Sequence, residues 1–212
     1  ENFEAYELYL RGRFHWSKWT EESLLESILF FEQALQKDPG FALAYSGLAA
    51  AYGVLSYFNP DAQAHGAILK SKECANRAVE LDEGLAEAHL VLGNIANFND
   101  WDWPTAEREL RLAIELNPSL SDAHQSYGIA LMNQRRFDEA MDEMQLAVEL
   151  DPLSLPANLG RGFVLFSAER YGEALTQIRR SLELEPTISL AESDPTFHIA
   201  HQLIGGCLER LQ

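Results

Sequence analysis

Alanine recurs at Ala106, Ala140 and Ala174, and proline at Pro118, Pro152 and Pro186, each series stepping by 34 residues. Ala113, Ala147 and Ser181 keep the same step, as do Gly128 and Gly162, while Gly93 lies 35 residues before Gly128. The segments "FDEAMDEMQLAVELDPLSL" (137–155) and "YGEALTQIRRSLELEPTIS" (171–189) are two copies of one unit. A period of this length constrains the fold more than composition does. Each unit is one supersecondary element, and it buries its apolar face only against its neighbours.

The spacing inside a unit is helical. Met141, Met144, Ala147 and Val148 recur at three and four residues, which lays them along one face of a helix. Small residues at fixed positions let two helices approach closely. Proline at the end of the unit stops the second helix, because it lacks the N–H and crowds the preceding turn.

This pattern resembles the tetratricopeptide repeat family, whose unit is a helix–turn–helix of 34 residues. The family places small residues at positions 8, 20 and 27, large apolar residues at 7, 11, 17 and 24, and proline at 32. Residues 121–154 match without a gap through His124, Tyr127, Gly128, Leu131, Phe137, Ala140, Met144, Ala147 and Pro152. Residues 155–188 match through Gly162, Leu165, Tyr171, Ala174, Ile178, Ser181 and Pro186. Residues 86–120 match with one extra residue, through His89, Leu92, Gly93, Ala96, Trp103, Ala106, Leu110, Ala113 and Pro118. Residues 42–85 carry Tyr45, Leu48, Ala49 and Tyr52, then reach Ser71, Ala75 and Ala78 ten residues late. Residues 5–39 end on Ser27, Phe31, Ala34 and Pro39, with a first helix and turn that depart from the pattern. A sixth first helix is expected at 198–211, with His201, Ile204, Gly205 as its position-8 small residue, and Leu208. The resemblance therefore implies an all-α fold, a right-handed superhelix of stacked hairpins (an α-solenoid), with 1–212 as a single domain cut from a longer chain.

The departures have local causes. Asn59 and Pro60 suit the cap and first turn of a helix running to about Leu81, roughly 33 Å long at 1.5 Å per residue. Gly66 inside it is a point for a kink. Thr20 before Glu21 and Glu22 is the cap of the helix ending near Lys37. "SLAESDPTF" (189–197) reads as a loop with turn chemistry at Asp194 and Pro195. In "FNDWDWPTAE" (98–107), Trp103 falls at position 17, so a largely buried ring is expected in the seam between hairpins. Pro104 suits a first turn, and Trp101 is read as a brace for the long second helix before it.

Charge narrows the partners. Sixteen basic residues against 33 acidic ones give −17, the reverse of what phosphate backbones or anionic membranes attract. Nucleic acid and membrane are excluded as partners of the main surface, and a basic or apolar protein or peptide fits instead. No apolar run reaches transmembrane length. Cys74 and Cys207 make neither a disulfide framework nor a metal knuckle, which points to a cytoplasmic setting.

No residue set carries catalysis, so the chain is read as a non-enzyme without cofactor. His89, His124 and His201 share position 4 of a first helix. Helices pack 8–10 Å apart, too far for adjacent imidazoles to share a zinc at about 2.0–2.1 Å, so packing rather than metal binding is the reading. Cys207 is read as a packed thiol. Asp138, Glu139, Asp142 and Glu143 at the start of a second helix complement its dipole and solvate its outer face.

The resemblance moves the functional surface to the first helices, where positions 2, 5, 9 and 12 face the concave side. These are Glu87, Leu90, Asn94 and Asn97; then Asp122, Gln125, Ile129 and Met132; then Pro156, Leu159, Phe163 and Phe166. The surface grades from amides, which bond peptide backbone, to apolar side chains that seat a partner's own. No Lys or Arg occupies these positions, so the carboxylate clamp of chaperone-binding members is not expected. The alternative is a structural scaffold, a homodimer formed through Ile204, Leu208 and Leu211 of the terminal helix. "WDWPTAERELRLAIELNPSLSDAHQSYG" (101–128) is further similar to repeat segments attached to bacterial signalling and transcription-regulator domains, which implies the partner-binding part of such a protein.

Overall fold

The computed structural model describes residues 2–18, 20–58, 62–184 and 195–211, and all regular structure among them is helical. The chain divides into two compact units, Glu1–Pro118 and Ser119–Gln212. The first holds α1 (Phe3–Trp16), α2 (Glu21–Lys37), α3 (Ala42–Phe58), α4 (Ala62–Leu81), α5 (Ala86–Ile95) and α6 (Trp103–Leu116), with a π-helical turn at Ala96–Asp100 continuing α5. The second holds α7 (Ser121–Asn133), α8 (Phe137–Leu150), α9 (Leu155–Ser167), α10 (Tyr171–Leu184) and α11 (Pro195–Arg210). Within each unit, successive helices pair as hairpins, and neighbouring hairpins pack on one another.

Small residues close the seams as the spacing requires. Ala106, Ala140, Ala174, Ala113, Ala147 and Ser181 are fully buried. At position 8, a Cβ added to Gly12 would lie 2.5 Å from the Phe31 ring, and one on Gly93 would lie 2.5 Å from Leu110. Gly162 stands in the same relation to Ile178 at 2.6 Å, and Gly128 to Met144 at 3.0 Å. The missing side chain on one helix is the space filled by the position-24 side chain of the next, which is how a hairpin reaches the packing density of a protein interior. Phe31 is fully buried, clasped between Gly12 of α1 and Gly47 of α3 with Tyr9 packed at 5.8 Å.

Serine replaces alanine at position 20 of the first two hairpins, and each hydroxyl finds a carbonyl across the seam. Ser27 Oγ donates to Gly12 O at 2.9 Å and Ser71 Oγ to Ala49 O at 2.7 Å. Buried hydroxyls need such a partner.

The helix starts follow their caps. Thr20 and Ser23 form a reciprocal capping box at α2. Asp102 accepts from Thr105 N at α6, with Pro104 in the first turn. Although its sequence departs from the pattern, α1 is regular, because Asn2 caps it and Ala5, Tyr9 and Gly12 recur on its buried face. Helix α4 runs through Gly66 without a break, about 30 Å at 1.5 Å per residue. The expected cap at Asn59 and Pro60, Pro186, and the turn at Asp194 lie outside the described residues.

The extra residue of the third hairpin sits in the π-helical turn. Trp101 N donates to Ala96 O there, and Asp102 N reaches the same oxygen at 2.9 Å. Trp101 then takes a left-handed conformation, φ 55°, as do Arg135 and Glu169 at φ 62°. All three stand two residues before their second helix, so the turn keeps its register despite the insertion. A single-turn π-bulge absorbs one residue without breaking the helix.

Two expectations for this stretch are corrected. Trp103 is 38% exposed. It is the first residue of α6, at the end of the hairpin seam, and Phe137 and Tyr171 at the same position are only half-buried. Trp101 is 68% exposed, so most of its side chain faces solvent rather than the helix it was expected to brace. The turn is tied to α4 by its neighbour Asp100, which pairs with Lys72 at 2.5 Å.

Candidate functional site

The repeat register puts His89, His124 and Asn158 at position 4 of α5, α7 and α9, and the structure shows their task. His89 Nδ1 lies 2.8 Å from Glu109 Oε2, and Nε2 lies 3.1 Å from Glu83 O. A carbonyl only accepts, so Nε2 donates to Glu83 O, and Nδ1 stands within hydrogen-bond distance of the Glu109 carboxylate. Arg108 donates to the other oxygen of Glu109. Asn158 repeats the arrangement with amides: Nδ2 donates to Pro152 O at 3.2 Å, and Gln177 Nε2 donates to Asn158 O at 3.3 Å. His124 Nδ1 meets Glu143 Oε2 at 2.7 Å.

These partners were not expected from sequence. Glu143 turns inward to His124 rather than solvating the outer face, because the buried imidazole supplies a hydrogen-bond partner that outweighs solvent there. The signal was available: Glu109, Glu143 and Gln177 all occupy position 23, one helix away from position 4. His89 and His124 are therefore structural clips, whereas His201 on α11 is exposed rather than packed. Groups of three metal-binding side chains are absent among the described residues.

The positions expected to face inward divide between the units. On α5, Glu87, Leu90 and Asn94 are half-buried, while Asn97, on the π-helical turn, is fully buried. The Asn94 Oδ1 atom is shielded from solvent and has no hydrogen-bond partner among the described residues. On α7, Asp122 is exposed, Gln125 and Ile129 are half-buried and Met132 is buried. On α9, Pro156 and Phe163 are exposed, Phe166 is half-buried and Leu159 is buried in the core with Ile178, Leu203 and Cys207. Helices α7 and α9 are neighbours, so Ile129 and Phe163, both at position 9, belong to adjacent rows. Asn97, Met132 and Leu159 serve packing in this structure.

Helix α11 covers part of that apolar row. The Phe166 ring lies against Gly206, where an added Cβ would sit 3.0 Å from it, and meets Tyr171 edge-on at 5.5 Å. The close approach expected at Gly205 occurs at Gly206 instead. Gly205 has no neighbour within 4 Å, since no second helix stands against it among the described residues. Cys207 is buried, as its reading as a packed thiol requires, and burial pushes its thiol up. No helix among the described residues is long and apolar enough to cross a membrane.

Comparison with known proteins agrees with this architecture. Residues 121–152 match the family model for the tetratricopeptide repeat. Superkiller protein 3 of Schizosaccharomyces pombe is 28% identical over 152 residues, which is 66% of this chain and 10% of that protein. A thermophilic repeat protein of Thermus thermophilus, TTC0263, superposes with a TM-score of 0.73 at 17% identity, over 96% of this chain and 99% of its own. YrrB, a repeat protein with an unusual peptide-binding site, gives 0.53 at 21% identity, over 85% of this chain and 83% of its own. At these identities the solved structures speak for the fold. With hairpins closing position 8 on position 24, one tetratricopeptide repeat matched at 121–152 and a repeat protein superposing over most of its length, the chain has the tetratricopeptide-repeat fold.

Proposed function

We propose that the chain is a non-catalytic interaction module that binds a basic or apolar peptide or protein segment on the inward face of its first helices. The observation carrying this reading is Asn94. A shielded amide oxygen without a donor is uncommon in a folded protein, and rotation of the half-buried Asn94 side chain toward an extended peptide would satisfy it with a backbone N–H. In the second unit, exposed Phe163 beside half-buried Gln125 and Ile129 gives an apolar seat with an amide at its edge. The peptide-binding site ascribed to YrrB makes the same class of ligand reasonable here. The setting we infer is cytoplasmic, within a larger bacterial signalling or regulatory protein, from the similarity of residues 101–128 to such segments.

Selection of peptides from a random displayed library supplies a ligand, and calorimetry then compares variants. Asn94→Leu and Phe163→Ala, made separately, should each weaken the selected peptide with helical content unchanged. Unaltered affinity in both rejects the inward face as the site.

A second reading, dimerisation through the terminal helix, draws on Leu208 and Leu211, which are exposed on α11. Ile204 does not contribute, being packed on the core of the second unit.

A further inference from the structure

An exposed apolar stripe lies on neither of those surfaces. Phe3, Tyr6, Leu10 and Phe14 recur along the outer side of α1 and are all exposed, Phe3 to 78% and Phe14 to 61%. The opposite side of the same helix carries Ala5, Tyr9 and Gly12 into the core, so α1 is apolar on two sides. At its N-terminal end, Phe3 and Tyr6 join Asn2, Asp38, Phe41 and Leu43 around a cavity of about 450 Å³.

The charges along the stripe are segregated. Glu4 and Glu7 occupy its first half, and Arg11, Arg13 and Lys18 its second. Residues 2–18 thus hold two carboxylates against three cations in a chain of net charge −17. Two copies repel each other over most of their surface, but not here. Turned antiparallel, the acidic half of one α1 meets the basic half of another.

We propose that α1 is a self-association surface whose occupant is α1 of a second copy, packed antiparallel about a two-fold axis near Glu7 and Leu10. This arrangement sets Phe14 of each copy over the cavity at Phe3 and Tyr6 of the other. Glu7 of each copy then faces Arg11 of the other, twice over, as an isologous interface requires. The stripe exposes roughly 400 Å² of apolar side chain per copy, taking an aromatic side chain at about 200 Å². Two stripes supply roughly 800 Å² of apolar side chain, about two thirds of the roughly 1,200 Å² at which specific interfaces begin, with the polar rim left to supply the rest. Arg11 already pairs with Glu7 on its own helix at 2.7 Å, so its guanidinium is pre-placed beside the axis.

Sedimentation of the 212-residue chain over the micromolar range tests this. The wild type should sediment as a dimer and Phe14→Glu as a monomer, with association weakened about tenfold or more. Phe14 is exposed, so circular dichroism should show Phe14→Glu folded; Leu10→Glu provides a second disruption. Glu7→Arg should weaken the dimer and Glu7→Arg with Arg11→Glu should restore it. Leu208→Glu should leave it intact, as should Asn94→Leu, which separates this interface from the terminal helix and from the inward face. A monomeric wild type overturns the proposal and leaves the stripe to a different polypeptide. A dimer that survives both Phe14→Glu and Leu10→Glu, or dissolves with Leu208→Glu alone, also overturns it.

Discussion

Ser71 donates its hydroxyl to the carbonyl of Ala49 at 2.7 Å, joining the two helices of the second hairpin through a single buried bond. Later hairpins have alanine at the equivalent position and lack that bond. Ser71→Ala should therefore fold normally and lose about 1 kcal/mol, read from the urea midpoint. A midpoint identical to wild type would show that the bond contributes nothing.

Glycines should respond oppositely according to what surrounds them. A Cβ on Gly162 would meet Ile178 at 2.6 Å, whereas one on Gly66 meets nothing within 4 Å. Gly162→Ala should cost about 1–3 kcal/mol through overpacking. Gly66→Ala, in the interior of α4, should gain up to about 1 kcal/mol through helix propensity. Thermal melts of the two variants check the opposite signs.

The clip between α5 and α6 should behave as a unit. His89→Leu removes the partner of a carboxylate held in the seam and should cost about 2 kcal/mol. Glu109→Leu should cost a similar amount. The double variant should cost less than the sum, because neither side chain then leaves the other unpaired. Strict additivity in a double-mutant cycle would mean that the two side chains do not depend on each other.

Alkaline stability should fall in two stages. Burial, then the charges of Glu73 and Glu32, push the Cys74 thiol up to about 11. Burial, then Glu32, whose carboxylate accepts from the Tyr52 hydroxyl at 3.3 Å, push that phenol up to about 12. In both cases the fold retains a proton that the unfolded chain releases earlier, so stability declines as pH rises. The thiol acts between its ordinary value of 9.0 and about 11, and the phenol between 10.0 and about 12. Cys74→Ser should flatten the first stage, measured as urea midpoints across that pH range. A slope unchanged by the substitution would assign the loss to other groups.

The hairpins were legible in the sequence because their determinants are periodic and local. Ala106, Ala140 and Ala174 are all fully buried at their 34-residue spacing, and Thr20 caps α2 as its neighbours imply. What escaped depended on geometry between helices. The spacing placed Trp103 at a core position, but it is the first residue of α6, at the end of the hairpin seam. The carboxylates at position 23 looked like solvated charges until the fold brought Glu109 and Glu143 against His89 and His124. On α9 the sequence could not separate exposed Phe163 from buried Leu159, since neighbouring helices decide which member of a row is covered.

The π-helical turn at Ala96–Asp100 bears on how such a chain tolerates change in length. One inserted residue in a continuous α-helix rotates everything beyond it by about 100°, which here would swing the following turn away from α6. Widening a single turn cancels that rotation on the spot, and Ala106, Leu110 and Ala113 still arrive at the seam. An insertion that would otherwise propagate as a phase error down the repeat is thereby confined to five residues. Repeat proteins built this way can drift in length one residue at a time without renegotiating the interfaces on either side.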